Sequence, residues 1–246
     1  MNQVFESCKA ITFDLFGTIL DLEGSIKPHI YELLQDFQTE VSSERFWQQF
    51  RYRQRIEQYQ DSLMGLGHSG YLETVKKSFN YVCELNKMET TVNQVDTFMD
   101  IWKSLSPFPD CFGGLQKMEK RFSLVALSNG NPWFLEHLVK NRIKHPFDAI
   151  ISVEKVGSFK PYPGVYRRAA LEIALEPNEI IMVSSNSFDV MGARTCGFRG
   201  IYVNRYNLPF EDTYEQFKPD LTVCLLYTSD AADDTPCVDL GGRRII

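Results

Sequence analysis

The chain has 246 residues, 43% of them hydrophobic and 24% charged, with a formal net charge of −6. That length supplies one sizeable core with an inserted subdomain, and the acidic balance gives no support for nucleic acid or an anionic membrane as a partner. The N-terminus lacks a basic start and an apolar h-region, and no window is apolar for long enough to span a bilayer, so a soluble, cytoplasmic protein is expected.

In chain order, an apolar run from Ala10 stops at Asp14, Phe16, Gly17 and Thr18, which reads as a strand delivering a carboxylate to the edge of a sheet. The stretches Phe46–Leu63, Tyr71–Leu85 and Val92–Leu105 carry apolar residues at helical spacing. Gly65, Gly67 and Gly70 separate the first two, and the segment from Asn86 to Thr90 separates the second from the third. Pro107 and Pro109 mark a return to strand–helix alternation, with strands predicted at Phe122–Leu127, Ala149–Ser152, Ile180–Val183, Gly200–Val203 and Leu221–Val223. Short strands alternating with helices predict an α/β fold: a Rossmann-like parallel sheet core (residues 1–22 and 107–223) with an inserted helical cap subdomain (23–106).

Three later segments repeat the pattern of the first, an apolar run ending in small polar or charged residues. Leu124 to Gly130 carries Ser128 and Asn129 at its end, Phe159 to Tyr166 carries Lys160 just ahead of two prolines and a glycine, and Ile180 to Asp189 carries Ser184, Ser185 and Asn186. Each has a blander reading. Asp14 and Gly17 could merely close a turn, Asp189 could cap the helix beginning near Val190, and Lys160 could be a solvated lysine, although Pro161 and Pro163 would hold its backbone in one direction. Cys8, Cys83, Cys111 and Cys196 form no Cys-x-x-Cys pair, and His29, His68, His137 and His145 show no metal-ligand spacing.

These four segments, in this order and at these spacings, resemble the haloacid dehalogenase superfamily of hydrolases from about Ala10 to Val223. The resemblance implies that Asp14 is a nucleophile, that Ser128 and Lys160 fill the superfamily's Ser/Thr and Lys positions, and that Asp189 is its acidic residue after the fourth strand. Two positions depart from the commonest, phosphatase pattern: Phe16 stands where a second Asp follows the nucleophile, and Ser185 stands four residues before Asp189 where another Asp is usual. Mg²⁺ requires hard oxygen ligands in near-octahedral array, which Phe16 cannot supply and Ser185 supplies poorly. The remaining pattern, with the run from Gly200 to Arg205, is similar to the metal-independent 2-haloacid dehalogenase branch. That likeness implies hydrolysis of the carbon–halogen bond of short 2-haloalkanoic acids without cofactor or metal. Asp14 would attack carbon, Asp189 would activate water against the resulting ester, and Lys160 would position both carboxylates. Thr18, Ser184 and Asn186 would hold the carboxylates, while Phe16, Ser128, Asn129, Tyr166 and Phe188 would contact the substrate. The halide would be met by a cap arginine, with Arg51 preferred over Arg53 and Arg55; a charged stripe on a solvated helix face is the alternative for all three. A small-molecule substrate and, as an admitted assembly, a homodimer complete the implied partners.

Opening of another activated carbon centre, such as a strained cyclic amino acid, would use the same residues, because fold and nucleophile do not set the leaving group. A small-molecule phosphatase is the other enzymatic alternative. The segment 224–246 reads as the translation of a sequencing-adapter sequence on both sides of a short gap, with Cys224 and Cys237 inside it. It would carry four acidic and two basic residues, hence −2 of the −6, and its presence raises a truncated, inactive product as a further alternative. Few packed contacts are expected from Cys224 onward.

Overall fold

The computed structural model describes residues 3–37, 39–210 and 214–226. Its centre is β1 (Ala10–Phe13), four buried residues whose side chains are covered on both faces, as a parallel strand requires. The chain then passes β2 (Leu20–Asp21) into four helices: α1 (Leu22–Gln35), α2 (Ser43–Leu63), α3 (Tyr71–Leu85) and α4 (Val92–Ile101). It returns through β3 (Ser106–Pro107), which pairs antiparallel with β2, so the entry to and exit from the helical region are joined side by side. After α5 (Cys111–Met118) the alternation resumes with β4 (Ser123–Ser128), α6 (Pro132–Leu138), β5 (Ala149–Ser152), α7 (Pro163–Glu172), β6 (Ile180–Ser184), α8 (Ser187–Thr195), β7 (Arg199–Val203) and β8 (Leu221–Val223).

Six strands form one sheet in the order β5-β4-β1-β6-β7-β8, with every pairing parallel. β1 pairs with β4 on one side and β6 on the other, from Ala10↔Ser123 to Phe13↔Ala126 and from Ala10↔Ile180 to Phe13↔Val183. Connections after β1 run first to one half of the sheet and then to the other. The carboxyl end of β1 is therefore the topological switch point, where open α/β sheets collect ligands.

The predicted strands reproduce the sheet to within a residue or two at their ends. Helix α1 was not among the predicted elements. Gly24 and Pro28 lie inside it, and both oppose helix on local grounds. What forms it is Asp21, whose side chain accepts from the Gly24 N–H at 2.9 Å, and a buried row of Leu22, Ile26, Ile30 and Leu34 one turn apart. Among the described residues no helix is long and apolar enough to cross a membrane.

Packing continues past Val223 at Leu226, within the three tail residues that the structure describes. Leu226 is wholly buried, its N–H donates to Asp110 Oδ2 at 2.6 Å, and it lies so close to α5 that a Cβ on Gly114 would meet its carbonyl carbon at 3.1 Å. The rest of the tail, including Cys237, lies outside the described residues. Leu226→Ala should destabilise the protein by about 2–5 kcal/mol, the usual cost of emptying a buried leucine site, read as a lowered urea midpoint with an unchanged slope.

Candidate active site

The site is built at the end of β1. Gly17 adopts φ +88°, a conformation that strains any side chain, and the turn it permits carries Thr18 back beneath Asp14. Thr18 Oγ1 donates to Asp14 Oδ2 at 2.8 Å, and its own oxygen accepts the Ser185 N–H at 2.8 Å, tying the β1 turn to the end of β6. Asn186 Nδ2 donates to the same Asp14 oxygen at 2.8 Å, and Ser184 Oγ approaches it at 3.5 Å. Asp14 Oδ1 instead meets Lys160 Nζ at 3.4 Å.

Lys160 is not a surface lysine: it is 2% exposed. Its backbone N–H donates to Asn129 Oδ1 at 2.9 Å, and its ammonium donates to Asp189 Oδ2 at 2.9 Å. Asp189 is not the cap of α8 either. Asn186 holds that position, and the Asp189 carboxylate is turned inward, where Tyr166 Oη donates to Oδ1 at 2.7 Å. Burial, opposed by Lys160 and reinforced by the negative charge of Asp14, raises the Asp189 carboxyl to about 6. Burial and then the adjacent Asp189 charge push the Tyr166 hydroxyl well above its ordinary value, so it stays a donor.

A cavity of about 260 Å³ opens in front of these groups. The sheet side contributes Asp14, Phe16, Asn129, Lys160, Asn186, Phe188 and Asp189, and the helical region contributes Arg51, Tyr52, Gln54, Arg55, Gln58 and Tyr71. Phe16 stacks on Tyr71 with centroids 4.1 Å apart and planes at 5°. Arg51 donates to Gln54 Oε1 and lies 5.6 Å from the Trp47 ring centroid, while Arg55 lies 4.9 Å from the centroid of Phe188. Arg53 turns the other way, pairing with Glu57 and covering Tyr81 at 4.2 Å.

Thr18 and Ser184 sit behind Asp14 rather than in the cavity wall. Ser128 and Tyr166, expected to meet the substrate, also lie outside the lining: Ser128 is fully buried at the end of β4 with no partner for its hydroxyl among the described residues, and Tyr166 is spent on Asp189. Gln54, Gln58 and Tyr71 were missed in the sequence, where glutamines on a charged helix read as solvated. Gln58 Oε1 accepts from Asn129 Nδ2 at 3.4 Å, and His68 Nε2 contacts the Asn129 carbonyl oxygen at 3.1 Å, so the helical region meets Asn129 twice. The available signal was the helical row of Trp47, Arg51, Gln54 and Gln58, which places one guanidinium and two amide side chains beside an aromatic one.

A divalent cation does not fit this donor set. Among the described residues no group of three or more His, Cys, Asp or Glu side chains could hold a metal ion. Phe16 presents a ring engaged with Tyr71 in place of a second carboxylate.

The class the structure defines is an α/β protein with a six-stranded parallel sheet, a helical region and a candidate site at the carboxyl end of β1. Residues 8–197 match the model of the haloacid dehalogenase-like hydrolases, and the chain belongs to that family. It is 32% identical over 209 residues to (S)-2-haloacid dehalogenase H-109 of Pseudomonas putida, covering 83% of this chain and 89% of that protein. It is 27% identical to (S)-2-haloacid dehalogenase 4A of Burkholderia cepacia, covering 87% and 90% respectively. Among solved structures, L-2-haloacid dehalogenase from Xanthobacter autotrophicus with chloropropionic acid covalently bound superposes with a TM-score of 0.77 at 25% identity, covering 89% of this chain and 96% of that one.

Removing the Tyr166 hydroxyl withdraws a hydrogen bond that favours ionised Asp189. Tyr166→Phe should raise the Asp189 titration further, by about one pH unit for a charged hydrogen bond of roughly 1.5 kcal/mol, seen in carboxyl-carbon NMR.

Proposed function

We propose that the protein hydrolyses short 2-haloalkanoic acids to 2-hydroxy acids through an ester on Asp14. The observation that carries this reading is the unequal treatment of the two Asp14 oxygens. Oδ2 is held by Thr18 and Asn186 at 2.8 Å each, whereas Oδ1 carries the longer Lys160 contact at 3.4 Å and belongs to a residue lining the cavity. An oriented and partly desolvated carboxylate of this kind is suited to in-line displacement.

In the first step Asp14 Oδ1 forms a bond to C2 as the carbon–halogen bond breaks, and the halide leaves with the electron pair. Water then adds to the Asp14 carboxyl carbon and gives its proton to Asp189. Collapse of that adduct breaks the bond from Oδ1 to the Asp14 carboxyl carbon. The released alkoxide takes up a proton to become the 2-hydroxy acid, and the net yield is hydroxy acid, halide and one proton. Lys160 holds the two carboxylates at working distance and offsets their repulsion. Among the cap arginines, Arg51 is assigned to the departing halide. The phosphatase alternative is disfavoured by Phe16 and Ser185, which stand where acidic ligands would suit a divalent cation, and the amino-acid alternative would bring an ammonium group of its own beside Lys160 and Arg51.

Chloroacetate or 2-chloropropionate incubated with EDTA should release halide, while p-nitrophenyl phosphate with Mg²⁺ should not be turned over. A single turnover in heavy-oxygen water should label Asp14 and not the product; label in the first product formed would reject Asp14 as nucleophile.

Water activation needs ionised Asp189, so protonation removes the base. The rate of halide release should therefore fall as pH drops through about 6, approaching about tenfold per pH unit. A limb near 4 would mean that Asp189 is not the titrating group. The apparent value belongs to the Asp14–Lys160–Asp189 cluster as a unit.

A further inference from the structure

Two buried donors on the helical wall of the cavity have no part in the reaction described so far. Gln54 and Tyr71 both line the cavity and are 1% and 2% exposed, yet Gln54 Nε2 and Tyr71 Oη have no hydrogen-bond partner among the described residues. Buried donors left in this state are costly, so their partner is expected to come from outside the chain. Arg51 donates to Gln54 Oε1, which fixes the amide with its oxygen on the guanidinium and its nitrogen turned away from it. Burial lifts the Tyr71 hydroxyl to about 12, so it is a donor at neutral pH. Arg51 and Gln54 favour negative charge at its oxygen without completing a hydrogen bond to it, so neither takes its proton. The Tyr71 ring is stacked on Phe16 at 4.1 Å and met edge-on by Trp102 at 5.6 Å, which holds the hydroxyl in place.

Their position says what the donors serve. In an in-line displacement the departing group leaves on the side of the carbon opposite the attacking oxygen. Asp14 attacks from the sheet side, and Arg51, Gln54 and Tyr71 stand on the helical side, so the leaving group moves toward them. We propose that Tyr71 and Gln54 complete, with Arg51, a three-donor cradle for the leaving group, and that the halide this cradle fits is fluoride, which makes 2-fluoroacids substrates of the site. The proposal rests on the dehalogenase reading and narrows it. Bromide and iodide are large, polarisable and weakly hydrated, and an apolar wall suffices for them. Fluoride is small and strongly hydrated, and it leaves carbon readily only where fixed donors replace its water. Asp14 Oδ1 forms the bond to C2 as the carbon–fluorine bond breaks, and fluoride departs with the electron pair. It accepts hydrogen bonds from Tyr71 Oη, Gln54 Nε2 and Arg51, and no proton is transferred in that step. The ester is then hydrolysed as above, so fluoroacetate and water yield glycolate, fluoride and one proton.

The test follows halide release from fluoroacetate, chloroacetate and bromoacetate with ion-selective electrodes, in wild type and in Tyr71→Phe, which keeps the ring and removes only the hydroxyl. Wild type should release fluoride from fluoroacetate. In Tyr71→Phe, kcat/KM for fluoroacetate should fall about tenfold or more, the loss expected for a hydrogen bond to a charged acceptor. The loss should be smaller for chloroacetate and smallest for bromoacetate. A second measurement needs no variant: turnover of chloroacetate by wild type should be inhibited more strongly by fluoride than by bromide. Release of chloride without release of fluoride, stronger inhibition by bromide, or an equal loss on all three acids in Tyr71→Phe would overturn the proposal and leave the dehalogenase reading standing. No halide from any of the three acids would instead reject the dehalogenase reading, and the fluoride cradle with it.

Discussion

A buried ammonium between two buried carboxylates is the constraint on which the site depends. Lys160 is 2% exposed and Asp189 1%, so neither charge has water to solvate it, and an isolated charge at such depth would cost several kcal/mol. Lys160 joins Asp189 at 2.9 Å and Asp14 at 3.4 Å, and the remaining acceptor positions go to Tyr166, Thr18 and Asn186. Three elements far apart in the chain meet at this point: the turn after β1, the segment leading into α7 and the first turn of α8. Taking away one member leaves the others uncompensated, so the grouping stands or fails as a unit. The sheet contributes by placing the ends of β1, β4 and β6 side by side, which gives the three charges a rigid floor.

The helical region closes that floor with different chemistry. Its core is aromatic: Phe50 packs between Trp47, Phe98 and Trp102, and Tyr71 reaches from α3 to stack on Phe16 of the sheet domain. These contacts are apolar and set the rotation of α2, which in turn decides that Arg51, Gln54, Arg55 and Gln58 look into the cavity. Polar contacts then fix the approach of the two parts. Gln58 and His68 both meet Asn129, and Ser62 Oγ accepts from the Phe159 N–H at 3.3 Å, one residue before Lys160. Asn129 is accordingly both the residue that the helical region meets and the partner of the Lys160 backbone N–H.

Residues at the sheet edge were legible because a parallel strand announces itself. Ala10–Phe13, Leu124–Leu127 and Ile180–Val183 are continuous apolar runs that only burial on both faces explains, and each stops where polar residues begin, so Asp14, Ser128, Asn129 and Ser184 could be placed at strand ends without coordinates. Lys160 and Asp189 had competing local explanations, a surface lysine and a helix cap, and only their mutual contact at the bottom of a cavity removes these. Gln54 and Gln58 were not legible at all. A glutamine on a helix has the same local signature whether it faces solvent or the roof of a polar cavity, and the difference lies in what packs opposite it.

By itself, the amino-acid sequence determined the alternation of strands and helices, the four polar strand ends and the presence of Phe16 and Ser185 where acidic ligands would suit a divalent cation. Each of these follows from short-range periodicity or from the identity of one side chain. The tertiary structure alone decided that Arg51 and Arg55 line the cavity while Arg53 turns to Glu57 and Tyr81, that α1 forms in spite of Gly24 and Pro28, and that Leu226 packs against Gly114 beyond the last strand. Leu226 and Gly114 are more than a hundred positions apart and Arg53 and Tyr81 are dozens apart, while the apolar row of α1 needs a surface from elsewhere in the chain to cover it. Local propensity does not encode them, because the free energy that settles each one comes from surfaces that meet only after the chain has folded.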